Sequence, residues 1–233
     1  MAMHGWEWWF KTDAGLFARI GIGAGIFAIL AGVDLARRGR RATRWREYLF
    51  LLVTVGAAML YGVVNDAVAS QISWEYFYYG KGLDQQLGPQ VPPDPAALQW
   101  AACGVGARAT WSAGLVIGVV LLIANNPRPK RMRLPYRTLA SVLAFILLVT
   151  AGFAALGAVA GSRGYLNWTN ADVAAIAAEG LFRPGRFLCA YGINCGGYAG
   201  GALALAGGAA WIVRRRNALS VTGGENVGAD ELS

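Results

Sequence analysis

The stretch TLASVLAFILLVTAGFAALGAVA, residues 138–160, carries no charged side chain. At 1.5 Å rise per residue, a helix over this run is about 35 Å long, enough to cross a hydrocarbon core of about 30 Å. In lipid every backbone N–H and C=O must be satisfied inside the segment, so the run is predicted to be a membrane-spanning helix. Arg128, Lys130, Arg131, Arg133 and Arg137 stand immediately before it.

Working outward, the same pattern recurs. Apolar runs cover roughly Ala14 to Leu35, Tyr48 to Ala69, Trp100 to Ala124 and Gly196 to Val213, giving five predicted spans with the one from Thr138 to Ala160. Arg37, Arg38, Arg40, Arg41, Arg44 and Arg46 separate the first two, and Arg214, Arg215 and Arg216 follow the last. A five-span topology puts these arginine clusters on one side, which the excess of Lys and Arg in cytoplasmic loops assigns to the cytoplasm. The N-terminus is then expected outside and the C-terminus inside a bacterial inner (plasma) membrane.

The composition agrees: of 233 residues, 56% are hydrophobic and 15% charged, where a soluble domain carries about 25% charged residues. The net charge of +8 is read as an orientation signal rather than a nucleic-acid surface, because the basic residues sit at span ends. Anionic lipid headgroups are a compatible contact for them. The fold class is therefore all-α, a polytopic membrane bundle of about five helices occupying residues 1–216, with a disordered cytoplasmic tail over 217–233.

The N-terminal Trp6, Trp8, Trp9 and Phe10 read as an interfacial aromatic segment rather than a cleavable signal, since no basic region precedes them. In the last outer segment, Thr169 or Asn170 is placed to cap a short extramembrane helix ending near Glu179 and Gly180. Glycines four apart recur in the spans: Gly21 and Gly25, Gly114 and Gly118, Gly157 and Gly161, Gly197 and Gly201. Small residues let helix backbones approach in lipid, either within the bundle or between copies.

Chemistry-bearing residues are few. The one histidine, His4, lies outside every predicted span, which argues against a bis-histidine haem, an intramembrane histidine relay and the usual zinc sites. No cofactor, metal or catalytic residue is expected. Cys103, Cys189 and Cys195 all fall on the outer side, where disulfides persist. A Cys189 to Cys195 bond, a bridge from Cys103 to either, and free thiols are the open alternatives.

The end of the second span, YGVVNDAVASQISWEYFYYG over residues 61–80, is the most informative stretch. Asp66 stands near the hydrocarbon boundary, where a lone carboxylate is costly and needs water or a cation. Arg108, in GARATWSAG, lies at comparable depth on the next span and is the expected partner, with Asn65, Glu75, Tyr76 and Thr110 as neighbours. Such a pair either fixes helix register or forms a polar ligand site. Oxygen ligands here would suit calcium or magnesium as a minor alternative.

These residues resemble a family of uncharacterised bacterial multi-span membrane proteins. Its pattern has His-Asp-Gln and Glu-Tyr-Phe at one span end, Ala-Thr-Trp-Trp and glycines in the next, and a histidine before a Ser-Tyr-x-x-Gly entry to the last. The matching positions are Asn65, Asp66, Glu75, Tyr76, Phe77, Ala109, Thr110, Trp111, Gly114, Gly118, Tyr198 and Gly201. The resemblance covers Tyr61 to Arg216; Asn65 and Asn194 stand where the pattern has histidine. It implies the same topology and a clustering of Asp66, Glu75 and Asn194, and it carries no established activity.

Two functions follow from the sequence. One is a noncatalytic structural or accessory subunit of a membrane complex, held by lipid, other membrane subunits or self-association through small-residue faces. The other is a small transporter or membrane enzyme with an outer-side site at Asn65, Asp66, Glu75, Tyr76, Arg108 and Asn194.

Overall fold

Prolines, arginines and acids mark where the helices start and stop. A computed structural model describes residues 13–42, 44–126, 133–166 and 183–230. Helix α1 is Asp13–Arg38, α2 Arg44–Ile72, α3 Pro95–Ala124, α4 Tyr136–Ser162 and α5 Pro184–Asp230. A 3₁₀ turn at Gly39–Arg41, a π-helical turn at Tyr76–Gly80 and a one-turn helix at Asp84–Leu87 lie between them. The described residues contain no strand. The aromatic N-terminal segment and the short helix expected near Thr169–Glu179 lie outside the described residues.

All five helices contain an apolar stretch long enough to cross a membrane, the last over Pro184–Leu219. Large apolar side chains are exposed on them, including Phe17, Ile29, Leu148, Leu156 and Leu203. Apolar surface of that extent is what a helix presents to lipid. The protein is thus an all-helical, multi-pass bundle.

The caps explain the boundaries. Asp94 accepts a 2.8 Å hydrogen bond from the Ala97 N–H with Pro95 in the first turn of α3, the favoured start of a helix. At the other end of α3, Asn125 accepts from Leu134 N–H at 2.9 Å and donates to Leu134 O at 3.0 Å. Arg216 on α5 donates to Ala124 O at 2.6 Å, satisfying a carbonyl that α3 leaves open. Asp34 of α1 accepts from the Arg44 N–H at 2.9 Å and pairs with Arg38. Arg133 pairs with Glu47. All of these contacts except the Asp94 cap gather at one end of the bundle, the arginine end.

The fifth helix departs from its expected bounds. Hydropathy placed its start at Gly196, yet α5 begins at Pro184, because Phe187, Leu188, Ala190 and Ile193 are buried in the bundle. It continues past Arg216 to Asp230, over polar residues whose composition predicts disorder. Cys189 and Cys195 consequently share a helix. Six residues apart, they are separated by a rise of about 9 Å, beyond the roughly 7 Å a disulfide can bridge. Cys103, Cys189 and Cys195 are all free thiols, the third of the alternatives above.

Glycine decides which helices pair. A methyl group on Gly62 would collide with Gly106 O, and one on Gly106 with Gly62 O. At Gly114 it would lie 2.7 Å from Thr54 O and from Val55 Cα. This seam joins α2 to α3. A second joins α4 to α5: Gly157 against Gly192 O, Gly161 against Leu188 O, Gly196 against Phe153 O. Such backbone approach gives the dispersion contacts and Cα–H···O bonds that hold helices together in lipid.

Helix α1 is different. Its Phe27 ring stacks on Tyr48 of α2 at 5.6 Å, and Leu16 is buried. Methyl groups on Gly21, Gly23, Gly25 and Gly32 would meet nothing within 4 Å.

Two apolar clusters close the bundle. One, at the end opposite the arginines, contains Tyr76, Phe77, Leu98, Ala102, Phe187 and Ile193. The other, towards the arginine end, contains Phe50, Leu121, Leu139, Ile146, Ala204 and Ile212.

Candidate functional site

Between the clusters, level with the middle of the helices, lies a cavity of about 400 Å³. It sits where the α2/α3 pair meets the α4/α5 pair, and small residues make the room. Gly62, Gly106, Ala109, Ala113, Gly197 and Gly201 are all in its wall. Val116 on α3 and Tyr198 on α5, both lining residues, are 54% and 57% exposed. The cavity therefore opens sideways, through the gap between α3 and α5, rather than through an end of the bundle.

Its polar groups come from both pairs. On α2, Tyr61 and Asn65 are one helical turn apart, and the Tyr61 hydroxyl donates to Asn65 Oδ1 at 3.4 Å. Asn65 Nδ2 in turn donates to Asp66 Oδ1 at 3.1 Å. On α5, Asn194 and Tyr198 repeat the four-residue spacing, with Asn194 Nδ2 bonded to Ala190 O at 3.3 Å. Thr110, Ser112 and Thr150 add hydroxyls. Asp66, only 3% exposed, is the one charged side chain among the described lining residues. The hydroxyls of Tyr61, Tyr76 and Tyr198 lie within its electrostatic reach, as does Lys81.

Lys81 holds its ammonium over the Tyr76 ring, 5.4 Å from the centroid. That ring lies edge-on to Phe77, Phe187 and Tyr191 at 5.3, 5.4 and 6.5 Å. Burial first, and the Asp66 charge second, push the Tyr76 phenol well above the usual tyrosine range. It stays a neutral hydroxyl.

Glu75 stands apart from the cavity. It is 1% exposed, and its Oε1 accepts from the Arg183 N–H at 3.1 Å, directly before Pro184. The carboxylate thus caps the positive end of α5. Asn65, Asp66 and Asn194 are brought together as cavity wall, and Tyr76 lies beside them. Glu75 serves the entry of α5. Arg108 is not among the described lining residues, and the residues of α3 that meet α2 include Cys103, Gly106, Thr110, Gly114 and Gly118. The cation electrostatically coupled to Asp66 is Lys81. Among the described residues, no three His, Cys, Asp or Glu side chains come together.

Sequence reasoning did not single out Tyr61, Lys81 or Thr150. Tyr61 was reachable by helical periodicity, four residues before Asn65. Lys81 and Thr150 were not, because only the tertiary arrangement brings their elements to Asp66 or to the cavity.

No family model matches the chain, and neither the curated proteins nor the solved structures provide a match. The resemblance therefore rests on its motif residues alone. The findings identify the chain as a multi-pass helical membrane protein by its five apolar helices.

Proposed function

We propose that the protein is a membrane-embedded binding protein that takes a small, mainly apolar molecule from the bilayer into the cavity between its two helix pairs. The observation that carries this reading is the 400 Å³ cavity, apolar over most of its wall, with a single buried carboxylate at one side. Ligand sites are concavities of about 300–1,000 Å³ lined by apolar groups with a few convergent polar ones. The sideways opening suits a ligand that arrives dissolved in lipid. The end carrying Asp66 and Glu75 is assigned to the outer side and the arginine end to the cytoplasm, on the distribution of basic residues.

The test fills the cavity. Native mass spectrometry of the protein released from lipid nanodiscs should show a bound small molecule, or binding of a hydrophobic amine or alcohol added to it. The Ala113→Phe variant should lose it while still folding. A wild-type protein that carries and binds none of these, or an Ala113→Phe protein that binds as well as wild type, refutes the reading.

A second reading, an accessory subunit of a membrane complex, is favoured by α1. Gly62, Gly106, Gly114, Gly157, Gly161, Gly192 and Gly196 in α2 to α5 meet neighbouring backbone, whereas Gly21, Gly23, Gly25 and Gly32 of α1 meet nothing within 4 Å, and such a face accommodates another membrane helix. Copurification in mild detergent checks it: a defined complex supports this reading and a stable lone monomer removes it.

A further inference from the structure

The cavity reading leaves open what kind of molecule fits, and the wall chemistry narrows it. Among the described residues, Lys and Arg are absent from the lining, and Asp66 is the one carboxylate in it. An anion would be pushed out of such a site, since nothing in the wall compensates it and a buried carboxylate repels it. Asp66 is 3% exposed, and the hydrogen bond described at this carboxylate is the Asn65 amide's. An amide contributes a dipole, not a counter-charge.

Lys81 is the nearby cation, but its ammonium is engaged over the Tyr76 ring and it does not line the cavity. The cavity side of Asp66 thus has no cation among the described residues. Tyr61 and Tyr198 line the same space, and aromatic faces attract an ammonium within about 6 Å of the ring centroid. The remainder of the wall, including Ala58, Val116, Ile117, Leu147 and Leu205, is apolar.

Resting on the binding reading above, we infer that the cavity is a site for an amphipathic cation. Its ammonium lies against Asp66 between Tyr61 and Tyr198, and its hydrocarbon part occupies the apolar wall. Asp66 is the counter-charge, Asn65 holds that carboxylate in place through its amide, and Lys81 is a competing cation outside the cavity.

The experiment compares two probes of equal chain length, octyltrimethylammonium and 1-octanol, by calorimetric titration of the full chain in nanodiscs, with empty nanodiscs as blanks. Wild type should prefer the cation by about tenfold, which is 1.4 kcal/mol. Asp66→Asn should reduce that preference to within about twofold while leaving octanol binding in place. Lys81→Gln should tighten cation binding a few-fold, because a like charge is removed. If Asp66→Asn does not fold, Tyr198→Leu serves instead: its side chain is largely exposed, and its loss should weaken the cation a few-fold and spare octanol.

Equal binding of the two probes, with both lost in Ala113→Phe, overturns the cation assignment and leaves the cavity reading standing. Unchanged preference in Asp66→Asn also overturns it. Binding of neither probe overturns the cation assignment, and the mass-spectrometric test then decides the cavity reading separately.

Discussion

The α4/α5 seam makes a quantitative prediction at Gly157. A methyl group there meets Gly192 O and then Gly192 C at 2.8 Å. Both obstacles are backbone, so no rotamer change relieves the clash. The helices must separate by about 1 Å at this level, which also loosens the contacts of Gly161 with Leu188 and of Gly196 with Phe153. Overpacking of this kind costs about 1–3 kcal/mol. Against it stands the helix-propensity gain of Gly→Ala, about 0.5–1 kcal/mol.

The net expectation for Gly157→Ala is a loss of about 1–2 kcal/mol. Gly21→Ala on α1, where a methyl group meets nothing within 4 Å, should gain about 0.5–1 kcal/mol. The two variants should therefore differ by roughly 5–10 °C in Tm, taking about 2–4 °C per kcal/mol for a chain of this size. Thermal unfolding read by a thiol-reactive fluorophore measures this directly, since Cys103, Cys189 and Cys195 are free and partly buried. Gly192→Ala should match Gly157→Ala. The double variant should fall short of the sum by about 1 kcal/mol, because helices already apart have room for the second methyl. Equal melting of Gly157→Ala and Gly21→Ala would refute the seam.

Three further outcomes follow from the contacts. Glu75→Ala removes the acceptor at the Arg183 N–H and should destabilise by about 1–2 kcal/mol, with Glu75→Gln losing about half as much, as read by melting temperature. Asn125→Ala breaks both hydrogen bonds to Leu134 and should lose about 2 kcal/mol; Arg216→Ala, which removes the bond to Ala124 O, should lose a similar amount. Denatured, unreduced protein should take up three alkylating groups by mass spectrometry, matching its three free cysteines, whereas an uptake of one would reveal a disulfide.

Much of the architecture was legible because its cause is local. Hydrocarbon thickness fixes run length, and the run over residues 138–160 became α4 with two residues added at each end. The polar ends were harder. Nothing local to residues 184–195 says that they are helical and buried; Phe187 is covered by Tyr76, which lies more than 100 positions earlier in the chain. The Cys189 to Cys195 alternative presupposes a loop where tertiary packing makes a helix. Asp66 was recognisable from its cost in lipid, but its surroundings were not. Depth can be counted along a sequence, whereas the face of α3 that turns towards α2 is chosen by Gly106, Gly114 and Gly118.

The same small residues that zip the pairs also hollow the space between them. Gly62 and Gly106 sit in the α2/α3 seam and in the cavity wall at once. Gly197 faces across the bundle, where a methyl group would lie 3.4 Å from the Tyr61 hydroxyl, an ordinary contact rather than a collision. Packing is therefore tight within each pair and slack between them. Bundles so built deform by one packed unit moving against another, since a seam cannot stretch without losing all its contacts together. A ligand in the cavity would bridge the two pairs and favour whichever spacing fits it best. By that logic a bulky substitution at Gly197, whose nearest neighbour across the gap is the Tyr61 hydroxyl at 3.4 Å, acts on pair spacing and on ligand affinity together, whereas Gly157→Ala acts on stability while leaving the cavity wall intact.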